Sequence, residues 1–393
     1  MRVAVVGAGI GGVAAALFLR RQGIEVDVYE QAPALTEVGA GIQLGPNGAK
    51  LLHRVGLEAR LREVAVQPQT AWNFRRWQDG RVLFSQELGA RAMEQFGAPY
   101  YVIHRADLLD ALASQVPREM IHLGQRCVDV RQDDDGVELT FASGLKVRAD
   151  VVIGADGIHS VIRDKIVQPT PPTFSKLCAY RGLVPIEKTP VAGQPPSVTI
   201  WLGPHRHFVH YPVSGGRLLN IVAVVPSEEW AVESWSADGR VEDLQAEFEG
   251  WHPQLAGIIG ALESVKRWAL YDREPLAKWT FGRITLLGDA AHPMLPFFAQ
   301  GAVQAIEDAA VLAACLKHAD AHSAPEALER YEAVRRPRAV RVQQLSRMRG
   351  KEYHLPDGPE QERRDRELAQ SDPLRTYAWL YAHDVEREVD SAA

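Results

Sequence analysis

The chain opens with short apolar runs separated by a glycine-rich turn. The run from Arg2 to Val6 predicts a strand, Val13 to Gln22 predicts a helix, and Glu25 to Tyr29 predicts a second strand. Gly23 stands where a helix often ends in a left-handed residue. Strand, glycine turn, helix and strand make a βαβ unit, which predicts a parallel sheet.

The next stretch favours two hairpins. The segment from Ala71 to Leu88 predicts one hairpin, with its turn at residues 78–81. Cys127 to Arg131 and Gly136 to Phe141 predict another around an acidic turn. Between them His104 to Leu112 reads as a helix start, and Ala149 to Ile153 follows as a short apolar strand.

From about residue 177 to 268 alternation of apolar and polar residues dominates. Six of the nine tryptophans lie between Trp201 and Trp279. This pattern predicts an antiparallel sheet with aromatic packing, with strands at 197–202, 207–211 and 218–225. Arg283 to Leu287 then predicts an apolar strand, and Gly301 to Leu316 predicts an amphipathic helix. The last fifty or so residues are polar and charged, and predict helices packed on the outside that carry no chemistry.

Composition narrows the class of protein. The chain has 393 residues, 46% hydrophobic and 24% charged, as in globular proteins. A net charge of -6 gives no reason to expect nucleic acid or an anionic membrane as partner. Three cysteines, at positions 127, 178 and 315, are too few and too far apart for a disulfide framework or a metal site, and predict reduced, buried thiols. With no signal peptide and no long apolar stretch, we expect a cytoplasmic protein without a membrane span.

The first motif carrying chemistry is the glycine turn. Gly7, Gly9 and Gly12 fit G-x-G-x-x-G, in which the glycines permit a tight turn, close approach of a pyrophosphate, and close packing of helix and strand. Glu30 ends the second strand, where an acid accepts hydrogen bonds from ribose hydroxyls. The alternative is a purely structural turn. The motif predicts a dinucleotide site without separating NAD from FAD.

Two further motifs place an aspartate at the carboxyl end of a strand, where α/β sheets bind ligands. Residues 154–163 contain Asp156 and Gly157, and residues 282–293 contain Gly288 and Asp289. For either aspartate by itself, a cap of a turn or helix is the better explanation.

Together the three motifs resemble the class A flavoprotein monooxygenases, which have the para-hydroxybenzoate hydroxylase fold. The resemblance runs from residue 1 to about 340. It implies bound FAD, NADH or NADPH as a transient reductant, and O2 as co-substrate. The FAD residues implied are Gly7, Gly9, Gly12, Glu30, Gln31, Gly41, Arg105, Asp156, Gly157, Arg163, Gly288, Asp289, Gly301 and Ala302. The helix that starts at Gly301 would stabilise an anionic reduced flavin. Glu307 and Asp308, further along it, read as a solvated or hydrogen-bonded helix face.

The resemblance implies an α/β fold in which a Rossmann-like FAD-binding βαβ domain carries an inserted antiparallel sheet and C-terminal helices. The expected FAD-binding domain comprises residues 1–70, 98–176 and 269–340. Residues 71–97 and 177–268 form the expected substrate-binding sheet, and 341–393 the C-terminal helical segment.

Within that family, three stretches are similar to hydroxylases of small aromatic acids that act on salicylate, 3-hydroxybenzoate or 6-hydroxynicotinate. They are residues 37–47, 179–182 and 207–212. The similarity implies His207 and Tyr211 as catalytic residues, and Gln43, Tyr211 and Pro296 as substrate contacts. Four residues apart on a strand, His207 and Tyr211 share one face, while His210 points to the other. The alternative is ordinary packing in an aromatic-rich sheet.

Two positions depart from the relatives. Enzymes for 6-hydroxynicotinate carry a histidine where Gln43 stands, and 3-hydroxybenzoate 6-hydroxylases carry a glutamine where Pro296 stands. Salicylate or another ring acid is therefore the leading substrate by default. Arg75, Arg76 and Arg181 are candidates to bind its carboxylate, although arginines are more often on the surface.

The expected activity is hydroxylation of a small aromatic acid through a C4a-hydroperoxide of FAD, with the loop 293–300 beside the ring. The alternatives are a 6-hydroxynicotinate-type hydroxylase, or a flavin reductase or redox sensor on the same fold. A homodimer is left open.

Overall fold

The computed structural model describes residues 1–35, 40–167, 170–228 and 236–392. Part of one predicted stretch, Glu37 to Gly39, and two of the tryptophans counted above, Trp230 and Trp235, lie outside these ranges. Among the described residues no helix is long and apolar enough to cross a membrane.

The strands of the described residues are, in chain order, β1 (Arg2–Val6), β2 (Glu25–Tyr29), β3 (Gly41–Leu44), β4 (Thr70–Arg76), β5 (Val82–Glu87), β6 (Tyr101–His104), β7 (Ile121–His122), β8 (Cys127–Asp133), β9 (Gly136–Phe141), β10 (Lys146–Ala149), β11 (Val151–Gly154), β12 (Thr173–Pro185), β13 (Ser197–Gly203), β14 (Arg206–Val213), β15 (Leu218–Pro226), β16 (Ser236–Gly239), β17 (Val265–Asp272), β18 (Thr280–Phe281) and β19 (Ile284–Leu286). The helices are α1 (Ile10–Arg21), α2 (Pro46–Arg54), α3 (Glu58–Val64), α4 (Gly89–Phe96), α5 (Arg105–Ala113), α6 (Val161–Ile166), α7 (Val241–Glu247), α8 (Pro253–Gly260), α9 (Gly301–Leu316), α10 (Ala324–Tyr353), α11 (Pro359–Ala369), α12 (Pro373–Thr376), α13 (Ala378–Tyr381) and α14 (Val385–Ala392).

The predicted βαβ unit lies at the centre of a six-stranded sheet with the order β18-β19-β11-β1-β2-β7. Strand β1 runs parallel to both β2 and β11, and β11 runs parallel to β19. Helices α1 and α9 pack together on this sheet. The carboxyl ends of β1, β11 and β19 therefore meet at one edge, where all three predicted motifs begin.

The predicted tryptophan-rich sheet has eight strands in the order β16-β17-β12-β15-β14-β13-β4-β5. It is antiparallel except where β13 runs parallel to β4. That pair departs from the all-antiparallel expectation. The chain between β4 and β13 is long enough to cross over and bring the two strands together in parallel, which a short hairpin cannot do. The mixed α/β fold with C-terminal helices is confirmed. The described strands of the eight-stranded sheet lie within Thr70 to Glu87 and Thr173 to Asp272.

Helix α9 is not amphipathic, contrary to the prediction. Thirteen of its sixteen residues are buried, because α1 covers one side and α10 the other. The solvated alternative for Glu307 and Asp308 is also wrong, since their side chains are 1% and 0% exposed. Both carboxylates pair with Arg335 of α10 at 2.8 Å, and Glu307 also pairs with Arg338 at 2.7 Å.

Candidate active site

The glycine turn joins β1 to α1 with little space inside it. Gly7 has φ of +103°, which favours glycine, and a Cβ on Gly12 would lie 1.9 Å from the carbonyl oxygen of Gly7. A Cβ on Gly9, by contrast, would meet nothing within 4 Å. Gly12 thus holds helix against strand, while Gly9 leaves open space for a ligand. The Glu30 carboxylate accepts hydrogen bonds from the N–H groups of Ala8 at 2.7 Å and Ala32 at 2.8 Å, and so stabilises the glycine turn.

A cavity of about 340 Å³, here called the inner cavity, runs from this turn to the eight-stranded sheet. Of the predicted FAD residues, it is lined by Gly9, Gly41, Arg105, Gly157, Gly288, Asp289, Gly301 and Ala302. Of the predicted catalytic and substrate residues, it is lined by His207, Tyr211, Gln43 and Pro296. One continuous space therefore joins the two predicted sets.

The other predicted FAD residues lie behind or beside this wall. Gln31 is exposed at the end of β2, outside the cavity lining. Asp156 accepts hydrogen bonds from the Ser160 hydroxyl at 2.5 Å and the Ile162 N–H at 3.1 Å, so it fastens the start of α6. Arg163 is 2% exposed and pairs with Asp164 at 3.0 Å. These contacts match the helix-capping alternative for the second motif.

The inner cavity has features that suit a flavin dinucleotide. The first N–H groups of α9 have no partner within the helix, and Gly301 and Ala302 present them to the cavity. Asp289 opens to the cavity from a tight turn at Gly288, whose φ is +61°. Burial raises the pKa of Asp289, and the nearby His292 and Arg105 oppose that rise. The open space at Gly9 fits the phosphates of FAD. Asp289 can accept hydrogen bonds from its ribityl hydroxyls, and the N-terminus of α9 fits its pyrimidine.

Strand β14 forms the far wall through alternate residues, His207, Val209 and Tyr211. His210 points to the opposite face and accepts the indole N–H of Trp201 at 3.3 Å. Burial lowers the pKa of His207 well below its ordinary value and raises the pKa of Tyr211. Both rings are therefore neutral near pH 7. Gln43 of β3, which also lines the cavity, accepts a hydrogen bond from the hydroxyl of Tyr100 at 2.6 Å.

Arg181 is not a surface arginine. It lines the inner cavity, its guanidinium lies 4.7 Å from the Trp268 ring centroid, and its Nε is buried without a hydrogen-bond partner among the described residues. Burial lowers its pKa to about 10, so it is still cationic at neutral pH. Arg75 stacks over Trp201 on the other side of the sheet, and Arg76 pairs with Asp79. Of the three candidate anchors, Arg181 alone lies on the inner cavity.

The C-terminal segment contributes to the site, contrary to the expectation of external helices without chemistry. A second space of about 440 Å³, here called the outer cavity, lies between β4, β13 and the helices from Arg349 to Tyr381. It shares Gln43, His207, Pro296 and Phe297 with the inner cavity. His354, directly after α10, lies 2.7 Å from His207. Its sequence surroundings carry no motif, so only the three-dimensional contact reveals it.

Comparison with known proteins decides the family. Residues 1–346 match the family described as FAD binding domain. The chain belongs to the class A flavoprotein monooxygenases. The predicted fold, enzyme class and cofactors are thereby confirmed: members of this family use FAD, NAD(P)H and O2.

Individual monooxygenases match over nearly the whole chain. A 3-amino-4-hydroxybenzoate 2-monooxygenase of Streptomyces platensis is 47% identical over 384 residues, which are 98% of this chain and 96% of that protein. A 6-hydroxynicotinate 3-monooxygenase of Pseudomonas fluorescens is 40% identical over 347 residues, 88% of this chain and 90% of that one. Among solved structures, Klebsiella pneumoniae HpxO complexed with FAD and uric acid superposes with a TM-score of 0.87 at 30% identity, covering 97% of this chain and 96% of that one.

Proposed function

We propose that this monooxygenase hydroxylates a small aromatic acid bearing a ring hydroxyl, and that 3-amino-4-hydroxybenzoate is the first compound to test. The observation that carries the proposal is the inner cavity, which joins the glycine turn to a wall bearing Arg181, His207 and Tyr211. The choice of compound follows the 47% identity to an enzyme named for it. It replaces salicylate, which led only by default.

The substrate is held from the sheet side. Arg181, cationic and with an unpaired buried Nε, binds the carboxylate. His207 accepts a proton from the substrate, either from the ring hydroxyl or from the ring carbon as aromaticity is restored. Tyr211, four residues further along β14, donates a hydrogen bond to the substrate oxygen. The loop 293–300 covers the ring and keeps water out.

The cofactor is held from the parallel-sheet side. The turn at Gly9 and the N-terminus of α1 bind the pyrophosphate, and Glu30 supports that turn. Asp289 accepts hydrogen bonds from the ribityl chain, and the N-terminus of α9 stabilises negative charge on the pyrimidine. When bound and reduced by NAD(P)H, FAD supplies the oxygen-activating chemistry.

The test is NADH oxidation by the FAD-loaded protein with 3-amino-4-hydroxybenzoate, salicylate, 3-hydroxybenzoate and 6-hydroxynicotinate, with products identified by mass. We expect the first acid to stimulate turnover most and to gain one oxygen atom. Stimulation with product from another acid of the set would correct the substrate. Peroxide as the sole product from all four would support a flavin reductase and contradict hydroxylation.

A further inference from the structure

His207 has a partner that the proposed chemistry does not yet use. Its Nδ1 lies 2.7 Å from Nε2 of His354, and the two ring centroids are 5.0 Å apart. His207 is the second residue of β14, whereas His354 follows the last residue of α10. The contact thus ties the substrate wall to the C-terminal segment.

The direction of this hydrogen bond decides which nitrogen of His207 can act as a base. The two nitrogens of an imidazole point in diverging directions, so Nε2 of His207 points away from His354. A neutral histidine carries its hydrogen on one nitrogen only. If Nδ1 donates to Nε2 of His354, Nε2 of His207 is left as an acceptor on the wall of the inner cavity.

We propose that His354 is the second station of a proton relay, receiving through His207 the proton that the substrate releases. This inference rests on the proposed function. Nε2 of His207 takes the substrate proton while its Nδ1–H passes to Nε2 of His354. His354 is then an imidazolium, and it releases its own Nδ1–H to water. His354 acts through His207 and touches no substrate, so it is a positioning residue.

Burial gives the physical reason for a relay. His207 is 3% exposed, and an imidazolium held there without a carboxylate partner would be costly. His354 is partly exposed, so positive charge moved to it is better hydrated. Burial, followed by repulsion from the exposed His205, lowers the pKa of His354 to about 4. A proton that reaches His354 at neutral pH is therefore passed on to solvent.

Aromatic side chains hold the two rings in place, and several charged side chains lie around them. Phe297 and Tyr353 pack edge-on against His207, at centroid distances of 5.6 and 5.3 Å. Burial raises the pKa of Tyr353, which is therefore neutral. Titratable and charged side chains around the pair include His205, Arg349 and Glu352, and the last two form an ion pair at 2.7 Å. Further charged groups line the outer cavity at Lys351, Glu360, Arg363, Arg364 and Glu367.

The test separates a hydrogen-bond acceptor from a proton relay. The probe is 4-hydroxy-3-nitrobenzoate, whose phenolate is coloured and which has a nitro group where the candidate substrate has an amino group. Its apparent pKa when bound to the FAD-loaded, oxidised protein is measured by difference absorbance. We expect His354→Leu to raise that value by about one pH unit, because His207 loses its acceptor and becomes less basic.

His354→Gln should keep the bound probe's pKa near that of the wild type, because the amide oxygen still accepts the Nδ1–H. An amide cannot carry the proton further, so kcat should still fall about tenfold or more. His318→Gln, on an exposed histidine, is the control and should change neither value. Two outcomes would overturn the relay. In the first, His354→Gln has both the probe pKa and the kcat of the wild type. In the second, both variants of His354 lower kcat, but His354→Leu leaves the probe pKa unchanged.

Imidazole ¹⁵N NMR of the oxidised wild-type protein tests the inference without any variant. We expect His207 as the Nδ1–H tautomer, and an Nε2–H tautomer would contradict the relay. Neither NMR nor the probe titration requires turnover. A wild type that hydroxylates none of the four acids would therefore overturn the proposed function while these two readouts still decide the role of His354.

Discussion

At the residue scale, burial gives Arg181 a chemistry that its position in the sequence does not reveal. An arginine on a strand is ordinarily found at the surface. Here β12 places it on the inner cavity with Trp268 beneath it, where its Nε has no partner among the described residues. Asn220 also has an unsatisfied donor: its Oδ1 accepts the N–H of Gly41 at 2.6 Å, while its buried Nδ2 has no partner among the described residues. An unpaired donor that also faces a cavity, as in Arg181, is a candidate to bind an acceptor of a ligand.

Arg181→Met should raise the Kd of 3-amino-4-hydroxybenzoate about 10- to 100-fold, because a charged hydrogen bond contributes about 1.5–3 kcal/mol. The binding of 2-aminophenol, the same ring without the carboxylate, should change little. Binding is measured by perturbation of flavin absorbance. Arg75→Met is a matched control, since Arg75 also stacks on a tryptophan and has a buried unpaired Nε, but on the opposite face. An equal loss for both ligands would mean that Arg181 only supports the fold.

At the scale of elements, the site is built where strands end and helices begin. The turn from β1 to α1 and the start of α9 both face the inner cavity. Asp308 of α9 connects that helix to the turn at Gly288. Its carboxylate accepts a hydrogen bond from the Gly288 N–H at 3.0 Å and lies 2.6 Å from His292. Burial would raise the pKa of Glu307, but Arg338 and Arg335 together lower it to about 2. The ion network thus couples α10 to the turn that carries Asp289.

Gly12→Ala and Gly9→Ala should separate folding from cofactor binding. The first places a methyl group 1.9 Å from a backbone oxygen, so helix and strand must move apart and the apoprotein should melt several degrees lower. The second meets no protein atom within 4 Å, so the apoprotein should melt like the wild type while FAD binds at least about tenfold more weakly. The measurements are apoprotein melting and FAD titration by fluorescence. A Gly9→Ala protein with full FAD affinity would argue against pyrophosphate at this turn.

Arg335→Met should lower the free energy of unfolding by about 3–5 kcal/mol, because it leaves two buried carboxylates without their shared partner. Its neighbour Arg336 is the control: it is 41% exposed and pairs with Glu332 at 3.5 Å. Arg336→Met should cost at most about 1 kcal/mol. Urea unfolding of both variants gives the comparison, and equal effects would contradict a structural role for the network.

At the scale of the whole molecule, the parallel sheet, the eight-stranded sheet and the C-terminal segment enclose two adjoining cavities. His207 and Phe297 lie on the wall that the cavities share. Three histidines of this region are held as neutral rings, His207 and His210 buried and His354 partly exposed. Burial lowers the pKa of His207 strongly, that of His210 to about 3 and that of His354 to about 4, from an ordinary 6.5.

This enclosure predicts a pH dependence of stability. Below about pH 6.5 the unfolded chain binds protons at these histidines, whereas the folded protein does not until about pH 4 or lower. The stabilisation is therefore complete above pH 6.5 and declines as the pH falls from 6.5 toward 4. The urea midpoint, measured from pH 7.5 to 4.5, should fall over this window. The midpoint of His210→Gln should fall less steeply, because one of the three buried histidines is gone. A wild-type midpoint that stays constant over this window would contradict the lowered pKa values of the three rings.

The sequence by itself determined the βαβ unit, the three motifs at the carboxyl ends of strands, and the enzyme family. These follow from patterns that are local: glycines that a tight turn requires, apolar periodicity, and an acid at the end of a strand. It also placed His207 and Tyr211 on one face of a strand, because residues four apart on a strand share a face.

Only the tertiary structure decided which side chains are enclosed together. Arg181, Asp308 and His354 contact residues far away in the sequence; His207 and His354, for example, are 147 positions apart. Helix α9 looks amphipathic until α10 covers its outer side, and the polar C-terminal helices look peripheral until they close the outer cavity. Burial and ion pairing depend on what packs against a residue from elsewhere in the chain, and no local pattern records that.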